Sequence, residues 1–252
     1  MFVIFILSVV QGITEFLPIS SSSHLILVSN YLNYSNTNLS TDVSLHIGSF
    51  FAVLFYFKKD ILSFVRNKNL FLKIFISSIP IMIIGYILVE YRLIEQLRNI
   101  KTIGWATLIF GILLYFSDNF ERDKKIENNF TYRSAIFIGL FQVLSLIPGA
   151  SRSGISITAA RFLNFDRVDA AKISFLLSIP TLAAVSVFGI NNLIKTDDLQ
   201  FSLINIFSIL LSFVFSLVTI KFFLKFIRNF SLKIFVIYRV FLGIIILCFA
   251  YL

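Results

Sequence analysis

Apolar residues run along this chain in long blocks separated by short charged stretches. The windows 42 to 57, 70 to 89, 103 to 117, 171 to 190, 203 to 224 and 234 to 251 are almost free of charge. Most approach the roughly 20 residues a helix needs to cross the hydrocarbon of a bilayer, and they predict six plain transmembrane spans. Two further segments, 1 to 31 and 134 to 163, start apolar and then break. The first break reads Leu17-Pro18-Ile19-Ser20-Ser21-Ser22-Ser23-His24, the second Ile147-Pro148-Gly149-Ala150-Ser151-Arg152-Ser153-Gly154. Lipid tolerates such residues poorly, so each segment predicts a broken or re-entrant helical hairpin whose polar turn marks a site.

Composition places this pattern in a class. The 252 residues are 58% hydrophobic and 14% charged, with a mean hydropathy of +0.90, too apolar for a soluble domain. The expected fold is an all-α integral membrane protein with six transmembrane helices and two broken hairpins. Met1-Phe2-Val3-Ile4-Phe5 lacks the positive start and the small-residue cleavage site of a signal peptide, and is expected to be retained. The single cysteine, Cys248, excludes a disulfide framework or a cysteine metal site and reads as a small packing residue. The formal charge of +9 lies in short loops between spans, which argues for membrane orientation and anionic head groups and against nucleic acid.

If each broken segment enters and leaves on one side, the basic residues sort unevenly. One side holds Lys58, Lys59, Arg66 and Lys68, then Arg122, Lys124, Lys125 and Arg133, then Arg167, Lys172, Lys225, Arg228 and Lys233. The other holds Arg92, Arg98, Lys101 and Lys195. The positive-inside rule makes the first set cytoplasmic and puts both termini and the Asn30 to Ser40 loop outside a bacterial-type inner membrane. Three spans separate the broken segments, so the second enters from the opposite face, and the chain divides into inverted repeats. These are 1–118 and 134–252, each a hairpin plus three spans, joined by a cytoplasmic linker 119–133. Gln11 to Ser23 aligns with Gln142 to Gly154 once a one-residue slip is allowed, and His46 to Val53 with Ser178 to Val185. Such repeats aim interrupted helices at a common ligand near the midplane, and half-helix N-termini favour an anion.

Gln11 and Glu15 stand four apart on the first helix, so both side chains address one point, and a buried carboxylate there needs a cation, a metal or a proton. Ser21 and His24, three apart after Pro18, would set an imidazole beside a hydroxyl, the pairing that activates a weak nucleophile. Arg152 offers a planar fork suited to phosphate oxygens. Ser151, Ser153, Gly154 and Ser156 surround it with hydroxyls and close-approaching backbone, as Ser20 and Ser22 do in the first turn. The bland alternative is a structural ion pair between Arg152 and Glu15. His46 reads as a packing histidine, Asp118 to Lys125 as a solvated loop, and the many phenylalanines as lipid-facing bulk.

The runs Gln11 to His24 and Pro148 to Gly154, with Ser174-Phe175-Leu176-Leu177-Ser178-Ile179-Pro180, resemble the signatures of the undecaprenyl-diphosphatase (bacitracin resistance) family nearly end to end. The resemblance implies hydrolysis of undecaprenyl diphosphate to undecaprenyl phosphate and inorganic phosphate, recycling the lipid carrier of peptidoglycan synthesis. It also implies dependence on a divalent cation, Mg²⁺ or Ca²⁺, held by Glu15 and Gln11. Carried over by position, Ser21 is the proposed nucleophile, His24 the motif histidine, Glu15 the second motif carboxylate and Arg152 the phosphate-binding arginine. Ser151, Ser153 and Ser156 match hydroxyls of the pocket. Three positions depart from the common pattern: Gln11 for Glu, Ser23 for Gly and Ser156 for Thr. Ser23 in place of Gly questions a positive φ in that turn.

The expected partners are a polyprenyl diphosphate and the membrane, with a homodimer also compatible. The expected active site faces the outer side. A polyprenyl-phosphate flippase, alone or combined with the phosphatase, is the alternative function that inverted repeats suggest.

Overall fold

The computed structural model describes residues 2–31, 39–66, 68–119, 123–195 and 203–252. Its helices are, in order, α1 (Phe2–Thr14), α2 (Ser21–Tyr31), α3 (Leu39–Tyr56), α4 (Lys58–Arg66), α5 (Lys68–Glu90), α6 (Leu93–Leu97) and α7 (Ile100–Asp118). A short α8 (Ile126–Asn129) follows, then α9 (Tyr132–Gln142), a 3-10 turn (Val143–Leu146), α10 (Arg152–Phe162), α11 (Arg167–Lys195), α12 (Leu203–Asn229) and α13 (Lys233–Tyr251). The expected outer loop from Asn30 to Ser40 falls largely outside the described residues, as does Arg122 of the linker.

Both hairpins break where the sequence expects. Proline has no amide hydrogen and disfavours a helical residue before it, so Pro18 and Pro148 stop the preceding helices. Helix α10 restarts on Ser151, whose hydroxyl accepts from the Gly154 amide at 3.1 Å. Ser20 and Ser151 both have left-handed backbones, with φ of 74° and 72°, at the residue before each restart. This corrects the reading of Ser23: the positive φ belongs to Ser20, and Ser23 is a buried residue inside α2.

Helices α5, α7, α12 and α13, with residues 167–192 of α11, are long and apolar enough to cross a bilayer. The sixth expected span, 42 to 57, becomes α3, which carries Asp42, Ser44, His46 and Ser49. It packs against α11 and α12 with Ser44 and Ser49 buried and Phe51 and Phe55 exposed, so the face it buries in protein does not have to be uniformly apolar. The fold is an all-α membrane bundle.

Packing between the halves is reciprocal. Helix α1 lies on α12, and α9 lies on α5. Each contact is made close by a glycine: a Cβ on Gly12 would stand 2.5 Å from Phe215 Cβ, and one on Gly139 would stand 2.4 Å from the Ser77 carbonyl oxygen. A core of Phe16, Phe57, Phe175 and Phe223 fills the middle, with Phe16 and Phe175 edge-on at 5.4 Å. The phenylalanines are therefore only partly lipid-facing bulk.

Two other expectations are corrected. Asp118 is buried and accepts from Arg167 Nε at 2.8 Å, from Arg161 Nη2 at 3.1 Å and from the Leu232 amide at 2.9 Å. An unpaired guanidinium cannot stay at the Arg161 depth, so the start of the supposed solvated loop is drawn inward. Cys248 is exposed on α13 and does not pack between helices.

Candidate active site

The two polar turns meet. Arg152, the first residue of α10, donates from Nη2 to Glu15 Oε1 at 2.7 Å, and Ser153 Oγ donates to the Leu17 carbonyl at 2.7 Å. Glu15, one residue past the end of α1, is 7% exposed, so its charge is held away from water and has to be met by donors. Its other oxygen, Oε2, accepts from Ser21 Oγ at 2.8 Å and from Gln11 Nε2 at 3.1 Å. The helical spacing of Gln11 and Glu15 thus delivers both to one point. Glu15 carries a guanidinium from one hairpin and a serine hydroxyl from the other.

His24 is placed differently from the expectation. Its Nδ1 donates to the Ser20 carbonyl at 2.6 Å, and its Nε2 accepts from the Tyr238 hydroxyl at 2.5 Å, with the two rings stacked 5.7 Å apart. Both ring nitrogens are occupied, and Ser21 is paired with Glu15. The imidazole does not sit on the Ser21 hydroxyl. His46 does not simply pack either: its Nδ1 accepts from Gln11 Nε2 at 3.1 Å and so joins the edge of the site.

The remaining hydroxyls are mostly engaged inside the scaffold. Ser20 Oγ lies 3.3 Å from Ser22 Oγ and 3.0 Å from Ser23 Oγ, and Ser151 Oγ lies 3.2 Å from Ser153 Oγ. Ser156 is buried and donates to Gln142 Oε1 at 3.2 Å, while the Gly154 amide is spent on the cap of α10. Among the described residues three buried polar atoms near these turns have no partner: Arg152 Nη1, Gln11 Oε1 and Gln142 Nε2. Orphaned donors and acceptors of this kind are costly unless a ligand meets them.

A family model described as bacitracin resistance protein BacA matches residues 4–245. The chain belongs to the BacA family. It is 49% identical over 249 residues to an undecaprenyl-diphosphatase of Pelagibacter ubique, covering 98% of this chain and 97% of that one. It is 41% identical to one from Jannaschia sp. over 100% of this chain and 99% of the relative, and 38% identical to one from Roseobacter denitrificans with the same coverage.

In this BacA chain the sequence reading passes over Arg239 and Tyr238 of α13. Arg239 is fully buried and donates to carbonyls of both turns. The signal was available, because an arginine inside an otherwise apolar span is a default sign of a site.

Proposed function

We propose that this chain hydrolyses undecaprenyl diphosphate to undecaprenyl phosphate and inorganic phosphate in a bacterial inner membrane. The observation that carries the reading is the joint grip on Glu15 by Arg152 and Ser21, with Arg152 Nη1 buried and unpartnered beside them. Arg152 would turn that free N–H toward a phosphate oxygen, and the N-termini of α2 and α10 would add their positive ends. Phosphoryl transfer needs mainly positioning and charge stabilisation of this kind.

In the proposed reaction Ser21 Oγ attacks the terminal phosphorus and gives its proton to Glu15, already 2.8 Å away. An oxygen–phosphorus bond forms as the bridging oxygen leaves on undecaprenyl phosphate. Glu15 releases that proton to the departing undecaprenyl phosphate, then takes one from the water that cleaves the phosphoserine and returns it to Ser21 Oγ, which leaves as the free hydroxyl while inorganic phosphate departs. A water activated directly by Glu15 would give the same products, and trapping a phosphorylated Ser21 separates the two routes. His24 would hold the Ser20 turn in place.

A divalent cation, Mg²⁺ or Ca²⁺, fits as a partial guest of the protein. Gln11 Oε1 is unpartnered and Glu15 is the adjacent carboxylate, so these two would hold it. Among the described residues no cluster of three His, Cys, Asp or Glu exists, so most of its coordination would come from the diphosphate and water. When bound it would neutralise charge developing on the phosphoryl oxygens.

The reciprocal packing of the halves supports an inverted repeat, and the basic residues support a cytoplasmic linker with an outward-facing site. The comparisons lend no support to the flippase reading. Purified protein given undecaprenyl diphosphate and Mg²⁺ is expected to release phosphate, and a chelator to abolish it. Lipid crossing between leaflets without phosphate release would overturn the assignment.

A further inference from the structure

The geometry points to Arg239 as the positioning residue that fixes the distance between the two polar turns, so that Glu15 and Arg152 meet in the reacting arrangement. This rests on the phosphatase reading above. Arg239 lies on α13, is fully buried, and forms no ion pair among the described residues. Its donors go to backbone instead. Nη1 bonds the Pro18 carbonyl at 3.2 Å and the Ala150 carbonyl at 2.9 Å, Nη2 the Gly149 carbonyl at 2.9 Å, and Nε the Thr107 carbonyl of α7 at 3.2 Å.

Those acceptors explain why a guanidinium is needed. Residues 18, 149 and 150 lie in the broken turns, where no helical amide reaches their carbonyls, and at this depth every backbone polar group has to be satisfied within the protein. One planar fork satisfies both turns at once, and a single nitrogen, Nη1, joins one hairpin to the other. Two glycines make room for it: a Cβ on Gly111 would stand 2.9 Å from Arg239 Cβ, and one on Gly154 would stand 2.9 Å from Nη1. A side chain at Gly154 would press on Nη1 and also on Ser151 Cβ and Oγ, each at 3.2 Å.

The link to chemistry is short in sequence. Pro18 is three residues from Ser21, and Ala150 is two from Arg152, with the left-handed Ser20 and Ser151 between. Moving either turn shifts the nucleophile-bearing hairpin against the phosphate-gripping one. A misplacement of about 1 Å at a reacting centre can cost on the order of 100-fold in rate.

The test is Arg239→Lys, which keeps the charge but loses the fork. In folded, detergent-purified protein with undecaprenyl diphosphate, kcat is expected to fall roughly 10- to 100-fold while KM stays within about threefold. Arg239→Ala is expected to recover part of its kcat with millimolar guanidinium, and none with sodium at equal ionic strength. Hydrogen–deuterium exchange, read without any substrate, is expected to quicken in residues 16–21 and 147–152 together in the lysine variant and to stay unchanged in α5 and α12. Near-normal kcat in Arg239→Lys, or faster exchange in one turn only or throughout the protein, overturns the positioning role. A wild-type protein that releases no phosphate refutes the phosphatase reading instead, and the exchange pattern still decides the case for Arg239.

Discussion

Arg152 and Glu15, 137 residues apart in the chain, are joined by a 2.7 Å hydrogen-bonded ion pair with side chains 14% and 6% exposed. The pair locks the two hairpins together and, in the proposed reaction, stands where substrate charge would be met. Arg152→Ala removes the proposed phosphate donor and leaves the buried Glu15 carboxylate without its cation, so kcat/KM is expected to fall on the order of 100- to 1000-fold, as loss of a transition-state donor does. Glu15→Gln keeps the shape but loses the proposed base and metal ligand, and its residual turnover is expected to be insensitive to Mg²⁺. Phosphate release across a Mg²⁺ series measures both, and near-normal turnover in either variant moves the site elsewhere.

The left-handed serines predict an order of stabilities. Ser151 pairs a φ of 72° with a capping hydroxyl. Ser151→Ala loses the cap, worth about 1 kcal/mol, and keeps the strained backbone, whereas Ser151→Gly relieves a strain of about 1–3 kcal/mol. The alanine variant is expected to melt below the glycine variant in a detergent thermal-shift measurement. The reverse order would mean that the turn is not strained.

Tyr238→Phe removes the hydroxyl that meets His24 Nε2 while keeping the stacked ring. With its anchor gone, His24 no longer steadies the Ser20 carbonyl as firmly. The expected result is a fall in kcat of up to about tenfold with KM within twofold, the signature of a contact that matters only near the transition state. Steady-state kinetics with the natural lipid checks it, and a change confined to KM would place Tyr238 in substrate binding instead.

Asp118→Asn tests a region remote from the chemistry. It leaves Arg161, 1% exposed, beside a neutral amide, and breaking a buried pair from one side costs about 3–5 kcal/mol. The variant is expected to lose thermal stability by that order while the folded fraction keeps its specific activity. A matching loss of activity per folded molecule would tie this buried ion-pair network to the site.

How much of this was legible depends on whether a residue announces its own environment. The two hairpins were readable because proline followed by hydroxyls cannot continue an apolar span, and Gln11 with Glu15 because helical spacing alone puts them together. Arg152 stood out for its charge inside a Pro-Gly turn. Ser21 and His24 misled because spacing put them on one face, but a local carbonyl, Ser20, and a distant hydroxyl, Tyr238, hold the imidazole instead. His46 was hidden because its partner, Gln11, comes from another helix that no local pattern reveals, whereas Arg239 was visible as a charge inside an apolar span and only its partners, the turn carbonyls, were not. Asp118 was misread because its two arginines, Arg161 and Arg167, lie in the other half.

The clasp at Pro18 and Ala150 also carries a timing. Arg239 follows Ala150 in the chain by the whole of α10, α11 and α12, so a growing polypeptide contains both hairpins before it contains the side chain that ties them. Incomplete products would carry every motif residue and still lack the fastening. The enzyme would switch on late in its own biogenesis, as a whole.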